Sequence, residues 1–243
     1  MLAKKDKKIT AILLAAGNSS RLGQPKQLVE INGESLLARQ LTLAECHCYH
    51  SVIVLGYQAE QMQTALQVER QRSQRQRKTN AEDKSLNQTE SWSVVHATNW
   101  QEGMGGSLAS GIKHILASEQ LQESDAVLLL LVDQWQLQSA DMIKLIDCFY
   151  QHPDKIIVSD WCQGDHEHKA LGQNSENTGH NNFGPPVIFP ARFFTNLSEH
   201  SGAQGAKAII SKQLDDVVFC EISNAEADLD TPEQLAALGT LAS

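Results

Sequence analysis

No apolar run in this chain is long enough to cross a membrane as a helix. The longest, Ala126 to Val132, falls far short of the ~20 residues required. Aromatic residues are scarce, at 5% of 243 positions, against 41% hydrophobic and 20% charged overall. That balance is near the globular average and excludes a wholly disordered or fibrous chain. Positive charge is in deficit: 20 Lys and Arg against 29 Asp and Glu give a net charge of −9. An acidic surface argues against a nucleic-acid or anionic-membrane partner. An anionic ligand would therefore need basic residues gathered locally. The five cysteines lack a zinc spacing: Cys46-x-Cys48 is too tight, and Cys148, Cys162 and Cys220 are scattered. Five reduced thiols in a cytoplasmic protein are expected. Lys4, Lys5, Lys7 and Lys8 ahead of Ile9 to Ala16 loosely mimic a signal peptide. Polar residues from Gly17 to Arg21 follow at once, so a buried first strand is the better reading.

What is present is an alternation of short apolar runs and longer helical patterns. Strands are expected at Thr10–Leu14, Ser51–Leu55, Trp92–His96, Ala126–Val132, Lys155–Ser159, Pro186–Phe189 and Val217–Ile222. Several are continuously apolar, as strands of a mostly parallel sheet are when helices cover both faces. Helices are expected at Ser35–Cys46, Gln58–Val68, Ser107–Ala117, Ser139–Tyr150, Lys207–Gln213 and Thr231–Leu241. The last opens with Thr231 as N-cap, Pro232 in the first turn and Glu233 at the positive end of the dipole. The alternation predicts a three-layer α/β/α, Rossmann-like, doubly wound and mostly parallel sheet. Ligands of such sheets bind outside the carboxyl ends of the strands, here just after Leu14, His96 and Val132.

There is no fixed-period repeat and no separating linker, so residues 1–243 read as one domain. Two polar insertions interrupt it, at about 69–91 and 162–182. Glu69–Glu90 holds six Lys/Arg against four acids and cannot bury enough apolar surface to order itself. It reads as a solvated loop, extending the preceding helix or holding an acidic partner. The second carries His166, His168 and His180 without a nearby third metal ligand, and reads as a surface loop.

The most informative segment is Leu14-Ala-Ala-Gly-Asn-Ser-Ser-Arg-Leu-Gly-Gln-Pro-Lys-Gln-Leu28. Its small residues Gly17, Ser19, Ser20 and Gly23 let backbone N–H groups close around phosphate oxygens. Arg21 offers a planar fork and Lys26 a point charge for the same oxygens. It is neither a Walker A loop nor Gly-x-Gly-x-x-Gly.

The segment resembles the signature Leu-x-Ala-Gly-x-Ser-x-Arg-x-Gly-x-x-Lys of nucleotidyltransferases with the nucleotide-diphospho-sugar transferase fold. Within them it is most similar to the molybdenum cofactor cytidylyltransferase branch, since guanylyl-transferring relatives usually have Ala-Gly-Gly where Ala15-Ala16-Gly17 stands. Further segments match in order. Glu102-Gly-Met-Gly-Gly-Ser-Leu108 resembles the Gly-Met-Gly-x-Ser-Leu loop. Leu130-Leu-Val-Asp133-Gln134 resembles the strand-end aspartate. Gly184-Pro-Pro-Val-Ile-Phe189 and Ala227-Asp-Leu-Asp-Thr-Pro-Glu233 resemble the two later motifs.

The resemblance implies Mg²⁺-dependent transfer of CMP from CTP to a phosphate monoester, with a molybdopterin-type acceptor. Arg21, Lys26 and Asp133 would be catalytic. Ala15, Ala16, Gly17, Ser19, Ser20, Gly23, Gly105 and Ser107 would bind the nucleotide. Asp133 with Asp228, Asp230 or both would hold the metal. Gln134, Trp135, Gly184 and Pro185 would line the acceptor pocket. A molybdoenzyme or insertion chaperone is an implied partner. The sequence also departs from the family. Gln134-Trp135 stands where a proline is common, and Gly202–Lys207 has lost an acid and carries lysine for arginine. These departures leave open another nucleotide such as GTP, another acceptor, or a non-catalytic nucleotide-binding factor.

Overall fold

The computed structural model describes residues 7–79, 91–161, 182–202 and 205–241. Residues 80–90 of the first insertion lie outside the described residues. So do Lys4, Lys5, Cys162, His166, His168, His180, and Ala203-Gln204.

Strand β1 spans Ile9–Ala15, and a two-stranded ribbon, β2 (Glu30–Ile31) and β3 (Glu34–Ser35), follows the first loop. Then come α1 (Leu36–His47), β4 (His50–Leu55), α2 (Ala59–Thr79), β5 (Trp92–His96) and α3 (Met104–Ala117). The second half contains β6 (Ala126–Leu131), α4 (Ser139–Gln151), β7 (Ile156–Asp160), β8 (Phe183–Pro190) and α5 (Phe194–Ser198). It ends with α6 (Lys207–Lys212), β9 (Val217–Glu221) and α7 (Pro232–Leu241). Seven strands form one sheet in the order β5-β4-β1-β6-β8-β7-β9. All neighbours are parallel except at β8, which runs antiparallel to both β6 and β7.

The continuous apolar runs are explained by burial on both faces. In β1, Ala11 and Leu13 face one core with α1 and α4, while Ile12 and Leu14 face the other with α3, α5 and α6. The same alternation splits Leu128 and Leu130 of β6 from Val127 and Leu129. The doubly wound expectation holds.

Three helices differ from the sequence reading, and one of them, α5, was not expected at all. Helix α2 does not stop at Val68 but continues to Thr79, into the first insertion. Helix α3 begins at Met104 rather than Ser107, because Gly103, at φ 111°, takes the cap position that a side-chained residue would resist. Among the described residues no helix is long and apolar enough to cross a membrane.

Candidate active site

Parallel strands β1 and β6 end side by side, with Leu14 opposite Leu131. The loop leaving β1 is shaped by its own carbonyls. Gln27 is 1% exposed, and its Nε2 donates to the carbonyls of Ala15 (2.8 Å) and Gly17 (3.0 Å). Only the amide nitrogen can face two carbonyl oxygens, so its orientation is fixed. The intervening carbonyl, of Ala16, accepts from Tyr57 N–H at 3.0 Å. In a trans peptide the N–H points opposite to its C=O. The N–H groups of Ala16 and Asn18 therefore point away from Gln27, and that of Gly17 points away from the Tyr57 N–H. Farther on, Ser19 turns the chain at φ 50°; its carbonyl accepts from Leu22 and Gly23, and its Oγ from Lys26 N–H. Gly17 and Gly23 look onto open space. The Gln27 clasp had no sequence signal beyond its place next to Lys26.

Three distant segments meet over this loop. The Lys26 ammonium donates to Asp133 Oδ2 at 2.6 Å and to Asp230 Oδ1 at 2.7 Å. Arg21 donates from the exposed side to Asp230 Oδ2 at 2.6 Å. Burial of Lys26 works against its charge, but Asp133 and Asp230 outweigh it and hold the lysine pKa above its ordinary value. Burial likewise opposes the Asp230 charge, yet Lys26 and Arg21 bring its pKa below the usual carboxylate range. Asp228 does the reverse. Burial first, then the charges of Asp230 and Asp133, push its pKa up. Thr231 Oγ1 caps α7 by accepting from Gln234 N–H, which leaves the Asp230 side chain to the cations.

The expected acceptor-side residues form a braced wall beside this cluster. Gln134 is 2% exposed, and its Nε2 donates to the carbonyls of Pro185 (2.6 Å) and Ala225 (2.8 Å). Its own backbone carbonyl accepts from the buried Gln40. Gln134 therefore sits within the wall as a strut. Trp135 packs partly buried on the core, and its carbonyl accepts from Arg39. Gly184 leaves room for Trp161: a Cβ there would lie 2.7 Å from the indole ring. The indole Nε1 of Trp161 donates to Pro185.

Gly105 and Ser107 lie in the first turn of α3. Gly105 N–H donates to the Gly202 carbonyl, and a Cβ at Gly105 would meet that oxygen at 2.7 Å. Ser107 is buried. Close approach of Gly202 is thus one physical reason for glycine at 105.

The donor set suits a hard cation. Asp133 Oδ1 is buried with no hydrogen-bond partner among the described residues. Asp228 feels the negative charge of both Asp133 and Asp230. Carboxylate oxygens are typical partners of Mg²⁺. Among the described residues, however, no three such ligands already stand close enough together to hold a metal. The Lys26 ammonium takes the position between Asp133 and Asp230.

Residues 11–217 match the MobA-like NTP transferase domain. The chain belongs to this family. Nucleotidyl transfer is its reaction class. Solved structures share its fold across nearly the whole chain. Rv0371c from Mycobacterium tuberculosis H37Rv has a TM-score of 0.65 at 21% identity, covering 96% of this chain and 97% of that one. A manganese complex of Rv0371c aligns with a TM-score of 0.62 at 20% identity, covering 96% and 98%. A nucleotidyl transferase from Methanothermobacter thermautotroptrophicus, Mth528, has a TM-score of 0.63 at 17% identity, covering 95% of each chain. The 4-diphosphocytidyl-2C-methyl-D-erythritol synthase of Anaerococcus prevotii DSM 20548 has a TM-score of 0.63 at 14% identity, covering 97% and 96%. No curated protein is significantly similar in sequence.

Proposed function

We propose that this NTP transferase transfers CMP from CTP to a phosphate monoester, a molybdopterin-type acceptor, releasing pyrophosphate. The observation that carries the reading is the convergence of Lys26 and Arg21 with Asp133 and Asp230 over the β1 loop. Ala15-Ala16-Gly17 in that loop supports a cytidylyl rather than a guanylyl donor.

An acceptor phosphate has a second pKa of ~6 and is already a dianion at neutral pH. No protein nucleophile is needed. A phosphate oxygen of the acceptor forms a bond to the α-phosphorus of CTP, and the bond from that phosphorus to the bridging oxygen breaks. The electron pair leaves with pyrophosphate. The obstacle is to bring two polyanions together. Lys26 and Arg21 counter the triphosphate charge and the charge that grows on the leaving group. The outward N–H groups of the β1 loop orient the phosphates. Asp133, with Asp230 and Asp228, would hold Mg²⁺. Bound there, the ion supplies Lewis-acid charge to the phosphate oxygens. The braced wall of Gln134, Trp135, Trp161 and Pro185 would position the acceptor, with Gln134 acting through Pro185.

The test is pyrophosphate release with Mg²⁺ and CTP, GTP, ATP or UTP, with and without molybdenum-loaded molybdopterin. Acceptor-dependent release with CTP is expected. Release with GTP instead would reassign the donor. Nucleotide binding without release would point to another acceptor or to a non-catalytic factor, readings that the altered Gly202–Lys207 segment motivates.

A further inference from the structure

Two aromatic rings among the described residues stand clearly exposed on this aromatic-poor chain, Tyr49 and Tyr57. They flank the same strand, β4, at opposite ends. Tyr49 lies at the amino end, where Lys8 covers its ring at 5.4 Å. Tyr57 lies at the carboxyl end, beside the phosphate loop, and is 38% exposed.

Tyr57 is fixed in place by two contacts. Its N–H donates to the Ala16 carbonyl at 3.0 Å, which ties its backbone to the loop. Its ring meets Trp100 edge-on, with centroids 5.6 Å apart and planes inclined at 61°. Trp100 is itself anchored, partly buried against the core. Gly56 allows this arrangement: a Cβ there would lie 2.7 Å from Trp100 Cβ and Cγ and 2.8 Å from the Ala16 carbonyl. Any side chain at 56 would force the indole and the phosphate loop apart.

We propose that Tyr57, braced edge-on by Trp100, is the platform on which the nucleotide base stacks. The inference rests on the reading of the β1 loop as a triphosphate cradle. Lys26, Asp133 and Asp230 place the phosphates over β1 and β6, so the nucleoside must extend to one side. Toward β8 the wall is closed by the hydrogen bonds of Gln134 and Trp161 to Pro185. On the β4 side, the first large side chain after the strand is the exposed Tyr57. An edge-on contact to Trp100 leaves a tyrosine face for a flat ligand, and a ring with two side-chain torsions loses little entropy when it binds. Stacking tolerates every base, since each has a π-face. Tyr57 therefore contributes affinity for nucleosides generally and does not choose between cytosine and guanine.

The test is equilibrium titration of the full chain with CTP, GTP and inorganic tripolyphosphate, each with Mg²⁺, in the wild type, Tyr57→Leu and Tyr57→Trp. Loss of one stacking contact should weaken CTP and GTP about 10-fold or more in Tyr57→Leu. Tripolyphosphate affinity should stay unchanged, and Tyr57→Trp should restore nucleotide binding. Leucine keeps apolar bulk against Trp100, and a thermal melt checks the fold. Unchanged CTP affinity in Tyr57→Leu overturns the platform. Equal loss of CTP and tripolyphosphate also overturns it, because the ring would then be supporting the loop. A wild-type protein that binds tripolyphosphate but no nucleotide better overturns the platform alone. One that binds neither overturns the cradle reading and the platform with it.

Discussion

Lys26 and Asp133 stand 107 positions apart in sequence and 2.6 Å apart in the fold. The pair joins the loop after the first strand to the end of the most apolar one, and Asp230 closes it from a third segment. One ammonium between two carboxylates is an asymmetric arrangement. Removing the lysine leaves two like charges facing each other in a partly buried place, whereas removing one aspartate leaves a pair.

Lys26→Met and Asp133→Asn should each lower turnover by about 10²–10³-fold. Lys26→Met should also be the less stable of the two in urea at neutral pH. The raised pKa of Lys26 makes its contribution fully present below the ordinary value of 10.5 and lost only as pH rises through the raised one. The depressed pKa of Asp230 makes its contribution present above the ordinary carboxylate value and lost as pH falls through the depressed one. The stability gap between wild type and Lys26→Met should therefore persist across the neutral range and narrow in strong acid. A gap that stays constant into strong acid would show that the ion cluster is not its source.

Asp228 carries a penalty of the opposite sign. Burial and two neighbouring carboxylates raise its pKa, so its charged form destabilises the fold above that raised value. Asp228→Asn should melt higher than wild type at neutral pH. The difference should vanish as pH falls below the ordinary carboxylate range, where both side chains are neutral. The same variant should bind Mn²⁺ or Mg²⁺ more weakly. Calorimetry across pH reads the first effect and metal titration the second.

Gln27→Met removes both bonds that draw back the Ala15 and Gly17 carbonyls while keeping the side-chain volume. Two buried acceptors would be left open, at a cost of about 1–3 kcal/mol each. Nucleotide and tripolyphosphate affinity should fall together, unlike the outcome for Tyr57→Leu. Titration with both ligands separates a loop effect from a base effect.

Gly184→Ala forces a Cβ to 2.7 Å from the Trp161 indole, a ring held by its bond to Pro185. Overpacking of this kind costs about 1–3 kcal/mol. The melting temperature should fall, and KM for the acceptor should rise more than KM for CTP. An acceptor KM that does not move would detach this wall from acceptor binding.

The sheet was legible because strands buried on both faces write themselves as continuous apolar runs: Ile53 to Leu55 and Leu128 to Leu131 need no partner to be read. The cations and aspartates of the candidate site were singled out by the resemblance of their segments to family motifs, and the fold brings Lys26, Arg21, Asp133 and Asp230 together. The ribbon β2–β3 was not read, as strands of two residues carry no periodicity. Its signal was the turn Asn32-Gly33, where both residues take positive φ, a hairpin pair with a defined preference. Gln27, Gln134 and Tyr57 were out of reach as positioning groups. Their roles depend on carbonyls and rings brought in from elsewhere in the chain, and no local pattern encodes such a meeting. The end of α2 was left open between a solvated loop and an extension of the helix, because a polar helix that leaves the core has no apolar stripe to mark its length.

Arg21 grips Asp230 across 209 positions of sequence. A ribosome making this protein must therefore deliver almost everything between them before the site exists at all. The β1 loop emerges first and can meet Asp133 once β6 has docked, but its contacts to Asp230 wait until the chain beyond the last strand is made. Nascent chains cut short before Asp230 would keep the loop but lack one of its two clamps, and pyrophosphate release becomes a readout of finished synthesis.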